Sequence, residues 1–236
     1  MIQQLHLGRG TSRGALSVFP IWAEDVHPVS YSVNTAHARV VELSDGDPDV
    51  GSLWAMNSAG VPLLLIEGQL LEGGLQHRML TRSMLLAPAQ ATALDVVCVE
   101  QGRWSGTSDH AARVGELVRG MRPYPGQVGL LVGLAGQPLV TEVFDSPRML
   151  ARQFEAIVRA AAIDAIDLQP AETPGRRARR FLTRAASLRP RTSADAGIAV
   201  ARTARSEYVD LKSVQWEGRA LHTLLTNPRH DLVLAA

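Results

Sequence analysis

Short apolar runs broken by glycine, proline and aspartate turns fill the first half of the chain, and a helical period enters only in the second. Residues 4–22 read as two short strands around a glycine-rich turn, and ALSVFPIW is apolar enough for a buried strand. Residues 24–36 are polar and contain proline, and read as a loop. ARVVELSD follows as a strand and DGDPD as a turn, before SLWAMNS leads into the centre.

The centre, Val61 to Trp104, reads as a polar-studded β-meander of three long strands. VPLLLIEGQLLE runs to Glu72, Gly73-Gly74 makes a hairpin turn, and LQHRMLTRSMLLAP returns. PAQA then turns the chain into TALDVVCVEQGRW. A short helix is expected over 109–119, and a hairpin turning near Ala135-Gly136 follows. The clearest helix begins at Ser146, a good N-cap, with Pro147 at its first position. Leu150, Phe154, Ile157, Val158 and Ala161 share one of its faces. Thr173-Pro174 repeats the start signal for an arginine-rich helix ending near Arg189-Pro190. That segment, 170–195, is expected to pack on the body or to project from it. Strands near 197–203 and 208–216 precede a short C-terminal segment. The pattern predicts a single α+β domain over 1–236, with an antiparallel β-sandwich or barrel-like meander core and two to three helices in the second half.

Composition narrows the classes. The chain has 236 residues, 46% of them hydrophobic, which suffices for one sizeable core. A net charge of +1 fits neither an overall basic nucleic-acid glove nor an acidic mimic. The one cysteine, Cys98, excludes an intrachain disulfide and a cysteine-rich zinc site, and a reducing, cytoplasmic compartment is expected. The opening residues do not read as a signal peptide, and no run approaches the ~18 apolar residues of a membrane helix. Lys212 is the only lysine among 24 basic residues. A GC-rich codon bias accounts for that ratio first, so arginine number alone does not argue for phosphate binding.

Several motifs fall away on inspection. GRGTSRG, residues 8–14, looks like a phosphate loop but precedes a strand, where that motif needs a helix. No GxxxxGK[ST] and no GxSxG occurs. The seven histidines form no HxH or HxxxH pair, and the reading assigns no metal and no cofactor. Cys98, between valines, reads as a core thiol.

The meander holds the candidate chemistry. With a strict two-residue turn at Gly73-Gly74, Gln69 faces Arg78 and Leu71 faces Gln76. Glu67, Gln69, Gln76 and Arg78 then share one face, with Glu67 diagonal to Arg78 and in reach of an ion pair. Such a cluster suits a small polar ligand, Arg78 on an anionic group and Glu67 on hydroxyls or as a general base. Chemistry alone favours the plainer alternative, an ion pair on a solvated sheet face. The third strand adds Glu100, Arg103 and Trp104. A four-residue loop at 88–91 puts Glu100 on the opposite side from Arg78, and a bulge reverses that. Residues 176–191 carry seven arginines, which read first as a solvated amphipathic helix and second as a nucleic-acid or acidic-partner surface.

The Glu67-Gly68 step, the Gly74-x-Gln76-x-Arg78 run, the SMLLAP strand end and Cys98-Val99-Glu100-x-Gly102-Arg103-Trp104 resemble a bacterial family. It is the ARG and rhodanese-phosphatase-superfamily-associated protein domain, in which ARG denotes ADP-ribosylglycohydrolase. The later GLLVGLAGQPLVTEVFDSP, with Phe144-Asp145-Ser146-Pro147, is similar too, so the likeness spans roughly 14–165. The resemblance implies a domain linked by genomic company to ADP-ribose and NAD metabolism, with no established reaction. The expected ligand is ADP-ribose, NAD or a related nucleotide. Glu67 and Glu100 are the catalytic candidates, and Gln76, Arg78, Arg103 and Trp104 the ligand-binding ones. A pyrophosphate would sit on arginine, ribose hydroxyls on a carboxylate and a base on Trp104. The rival readings are a non-catalytic module that assembles with a partner enzyme and a nucleic-acid binder using 176–191. No membrane partner is expected, and nucleic acid is the least favoured of the three.

Overall fold

The computed structural model describes residues 4–24, 26, 29–41, 52–71, 78–98 and 108–234. The chain begins with three strands, β1 (Leu5–Leu7), β2 (Thr11–Arg13) and β3 (Leu16–Ala23), and a 3-10 turn at Thr35–His37. Seven short strands follow. They are β4 (Ala38–Val41), β5 (Ser52–Asn57), β6 (Leu63–Leu65), β7 (Leu70–Leu71), β8 (Arg78–Leu80), β9 (Met84–Leu86) and β10 (Ala91–Cys98). Next come α1 (Ser108–Val118), the hairpin β11 (Gly129–Leu134) and β12 (Gln137–Phe144), then α2 (Pro147–Ala165) and α3 (Gly175–Ala186). Four strands, β13 (Arg191–Ala196), β14 (Ala199–Arg205), β15 (Asp210–Trp216) and β16 (Arg219–Thr226), lead to α4 (Asp231–Leu234).

The strands form an α+β architecture of antiparallel sheets. A nine-stranded sheet runs β1-β3-β11-β12-β16-β15-β14-β13, with β2 on β3, and curls towards a barrel. A five-stranded sheet runs β4-β5-β10-β8-β7, and β6 and β9 make a separate ribbon. The ribbon explains the unbroken apolar run at its start. Leu63, Leu65, Met84 and Leu86 enter the core of the five-stranded sheet, while Leu64, Ile66 and Leu85 enter the core under α2. A strand buried on both faces has no polar alternation to show.

The central meander differs from the expected three long strands. Each of the first two breaks in the middle, and its halves join different sheets. The first turns at Glu67-Gly68, where Gly68 takes φ +84, a backbone region that glycine enters without a Cβ penalty. Side chains then satisfy the interrupted ladder: the Glu67 N–H donates to Ser83 Oγ at 2.9 Å and the Ile66 N–H to Gln69 Oε1 at 2.8 Å. The register also moves. Arg78 pairs with Leu71 instead of Gln69, a slip of two positions that leaves each side chain on its face.

Two faces of the large sheet are covered differently. Leu16, Val18, Leu130, Val132 and Phe144 meet Leu150, Phe154, Val158 and Ala161 of α2. On the other face Phe19, Ile21, Leu131, Leu211 and Leu225 meet Ala178, Phe181, Leu182 and Ala185 of α3. The arginine-rich helix thus packs on the sheet by a narrow apolar stripe. Two start signals work differently from expectation. The Ser146 hydroxyl donates to Asp145 Oδ1 at 3.1 Å and makes no cap bond. Thr173 is buried, its N–H on Ser17 Oγ at 2.9 Å, and Pro174 holds the N-cap position of α3. Strands β2, β5, β13 and β16 were not foreseen; β13 is almost wholly exposed and carries no apolar alternation to read. Among the described residues no helix is long and apolar enough to cross a membrane.

The β13–β14 turn ties the parts together. Gly197 has φ +70, and a Cβ there would lie 2.1 Å from the Leu85 carbonyl oxygen. That closeness lets the Ile198 N–H donate to the same oxygen at 2.9 Å.

Candidate functional site

The corners of the meander overhang the α2-side face of the large sheet. Side chains alternate along β15, so Lys212 and Val214 face the overhang while Leu211 and Ser213 face the other way. Lys212 Nζ donates to Glu67 Oε1 at 2.6 Å, joining positions 145 residues apart. Glu67 is 24% exposed and Lys212 46%, so the pair lies at a mouth and not in a core. Behind it is a cavity of about 160 Å³ lined by Glu67, Arg82, Ser83, Thr203, Lys212 and His222, among others.

The registers place a second pair beside the first. Leu224 is flanked by Lys212 on β15 and Glu142 on β12, and His222 is the next residue of β16 on that face. His222 Nε2 lies 3.1 Å from Glu142 Oε2, with His222 only 2% exposed. Its ring also packs on Phe144, centroids 4.9 Å apart. Arg82 Nε sits 2.6 Å from Asp95 Oδ2, yet its N–H is not aimed at that oxygen, so the contact is an ion pair without a hydrogen bond. That N–H is buried away from open space, and Arg82 Nη1 donates to Asp195 O at 3.2 Å.

The Asp145 carboxylate accepts from Tyr31 Oη at 2.6 Å, from the Val29 N–H at 3.2 Å and from Ser146 Oγ at 3.1 Å. Burial pushes its pKa above the ordinary value, against the lowering pull of those three donors. Burial, with the neighbouring carboxylate, also raises the Tyr31 phenol, which stays a donor. The contacts from Tyr31 and Val29 pin the loop before β4 to the start of α2, and this group reads as a clamp. A larger groove of about 530 Å³ opens on the opposite face of β15, but its polar groups largely bond one another. Arg202 donates to Pro190 O at 2.6 Å and Gln215 Oε1 at 3.3 Å, and Ser213 Oγ meets Thr223 Oγ1 at 3.0 Å.

The candidates named from sequence are distributed as follows. Glu67 lines the cavity, but its ionic partner is Lys212 and not Arg78. Gln69 turns back onto Ile66 and also donates to Gln153 Oε1 at 3.3 Å. Arg78 stands on β8 between Leu71 and Cys98 and does not line the cavity. Gln76, Glu100, Arg103 and Trp104 lie outside the described residues. Lys212, Arg82 and the His222–Glu142 pair escaped the sequence reading. The available signal was the solitary lysine itself, in a chain that otherwise uses arginine.

The cavity offers donors from Lys212, Arg82, Ser83 and Thr203 and an acceptor in Glu67. That set recognises hydroxyl and anionic groups. A cavity of about 150 Å³ is known to hold one six-membered ring, so the site has room for a sugar and not for a whole dinucleotide. Among the described residues no cluster of three or more His, Cys, Asp or Glu is placed to hold a metal ion.

The family model of the ARG and Rhodanese-Phosphatase-superfamily-associated Protein domain matches residues 4–112 and 107–226. The match reaches beyond the 14–165 stretch legible as a resemblance and takes in α3 and the last four strands. No curated protein and no solved structure gives a significant match to the chain.

Proposed function

Because the chain belongs to the ARG and Rhodanese-Phosphatase-superfamily-associated Protein domain family, we propose that it binds ADP-ribose, NAD or a related nucleotide, with a sugar of that ligand in the Glu67–Lys212 cavity. The family's description associates it with ARG, and the cavity's chemistry suits a sugar next to a phosphate. Glu67 accepts from ribose hydroxyls, while Lys212 and Arg82 donate to the phosphoryl oxygens at the mouth. The observation that carries the reading is the sole lysine, ion-paired to Glu67 on the wall of a cavity of that size.

The same lysine makes the test selective. Reductive ¹³C-methylation labels Lys212 as the one lysine signal, apart from the chain's amino terminus. ADP-ribose is expected to shift that signal and to bind in calorimetry, and Glu67→Gln to weaken binding at least tenfold. A folded protein that binds neither ADP-ribose nor NAD at millimolar concentration ends this reading.

One observation favours a second reading, a non-catalytic module that docks on a partner enzyme. Leu70, Met79 and Val97 are register partners across β7, β8 and β10. Leu70 is 40% and Val97 42% exposed, so among the described residues the row is an open apolar strip. A stable partner retained by wild type and lost by Val97→Glu supports it; a partner kept by that variant does not.

A further inference from the structure

We propose that a groove on the α3 side of the large sheet binds the diphosphate group of a small organic ligand. The inference does not depend on the reading of the Glu67 cavity, which lies on the other face of the sheet. The groove holds about 450 Å³ and is bounded by α3, the β11–β12 turn, Tyr208 and the segment after β16. Arg177, Arg180 and Arg184 reach it from α3 at i, i+3 and i+7, a spacing that stacks them along one side of a helix. The buried stripe of Ala178, Phe181, Leu182 and Ala185 holds the helix down and so aims that side. Arg229 enters from the segment after β16.

Among the described residues four guanidiniums line the groove and no carboxylate does. Glu207 pairs with Arg229 from outside it, which leaves three net positive charges. Arg184 lies 3.6 Å above the Tyr208 ring, and Arg229 lies 5.3 Å from the same centroid. Cation–π attraction offsets part of the repulsion between them. Their donors are scarcely used. Arg177 spends one nitrogen on Gly136 O at 2.7 Å, and Arg180 has no hydrogen bond or ion pair among the described residues. Converging cations with unspent N–H groups are stabilised by an anion brought between them.

The number of forks selects the anion. A guanidinium engages two oxygens at once. One terminal phosphoryl group presents three acceptor oxygens, fewer than one for each of the four guanidiniums, whereas two linked phosphoryl groups give each at least one. A nucleic-acid backbone is matched by charges strung along an open track, and these four converge on one hollow.

The test is calorimetry of the full chain with inorganic pyrophosphate, ADP and inorganic phosphate, at low and at physiological salt. Pyrophosphate and ADP are expected to bind once per chain, and more tightly than phosphate. Arg180→Gln removes a side chain without a described partner, so it leaves the fold intact and is expected to weaken pyrophosphate at least tenfold. Arg229→Gln is expected to do the same, with thermal unfolding as the control for its lost ion pair. Absence of pyrophosphate binding at millimolar concentration overturns the proposal, as does unchanged affinity in Arg180→Gln. Duplex DNA that displaces pyrophosphate and binds more tightly would replace it with a nucleic-acid surface.

Discussion

The two faces of the large sheet hold their charges in opposite ways. On the α2 side the cations of the cavity are matched, Lys212 by Glu67 and Arg82 by Asp95, and the His222 ring has Glu142 beside it. On the α3 side four arginines share a groove with one carboxylate at its edge. The difference follows from what covers each face. The meander corners and the β13–β14 turn overhang the first, so an unmatched ion there loses part of its hydration. The second opens to water, where unmatched arginines cost little and remain available. Matched charge under a roof therefore speaks of a site built with the fold, and unmatched charge at an open edge of one completed by its ligand.

Three substitutions bear on that contrast. Gly197→Ala attacks the roof. It forces a side chain into a positive-φ turn and against the Leu85 carbonyl. A loss of about 3 kcal/mol or more is expected in urea unfolding. ADP-ribose binding at the cavity should fall with it while pyrophosphate binding at the groove persists in the folded fraction. Joint loss of both breaks the comparison, because it means the faces are not independent. His222→Ala leaves the partly buried Glu142 without its partner and opens a void against Phe144. We expect about 2–3 kcal/mol of destabilisation. A change under 0.5 kcal/mol, the range typical of surface substitutions, would show that matching on this face is incidental.

Asp145→Asn gives the smallest effect, about 1 kcal/mol or less at neutral pH, and its signature is in the pH dependence. Asp145 is a carboxylate held by neutral donors and no cation, with its pKa raised on folding. A raised folded-state value means the protonated form is favoured in the native state. Its contribution is fully present below the ordinary value of 3.8 and is lost as pH rises through the folded-state value. Wild type minus variant stability should therefore decline across that window. A difference that rises with pH would mean that the three donors outweigh burial.

Much of the architecture was legible. The β11–β12 hairpin at Ala135-Gly136, the start of α2 at Pro147 and its buried face came from local rules, because turn chemistry, helix starts and periodicity are local. The meander was legible as strands but not as to their lengths. Its break at Gly68 is repaired by the Gln69 side chain beside it and by Ser83 of the returning strand, a match that strand periodicity does not show. Of the candidate residues Glu67 lines the cavity, and the lysine it pairs with was not read from the sequence. The inferred partner, Arg78, came from a hairpin register, whereas Lys212 lies 145 positions away on another sheet.

The amino-acid order by itself determined the helix starts, the β11–β12 turn and which residues are apolar enough to be buried, since these depend on neighbours within a few positions, but not the exposed β13 or the breaks in the meander. It also announced one chemical oddity, a single lysine among arginines. Only the tertiary structure decided which charges meet, because a contact between distant strands depends on sheet order and on small shifts of register. The same seven-arginine segment accordingly reads as a generic solvated helix in sequence, and three of those arginines become walls of one groove once Phe181 and Leu182 dock α3 on the sheet.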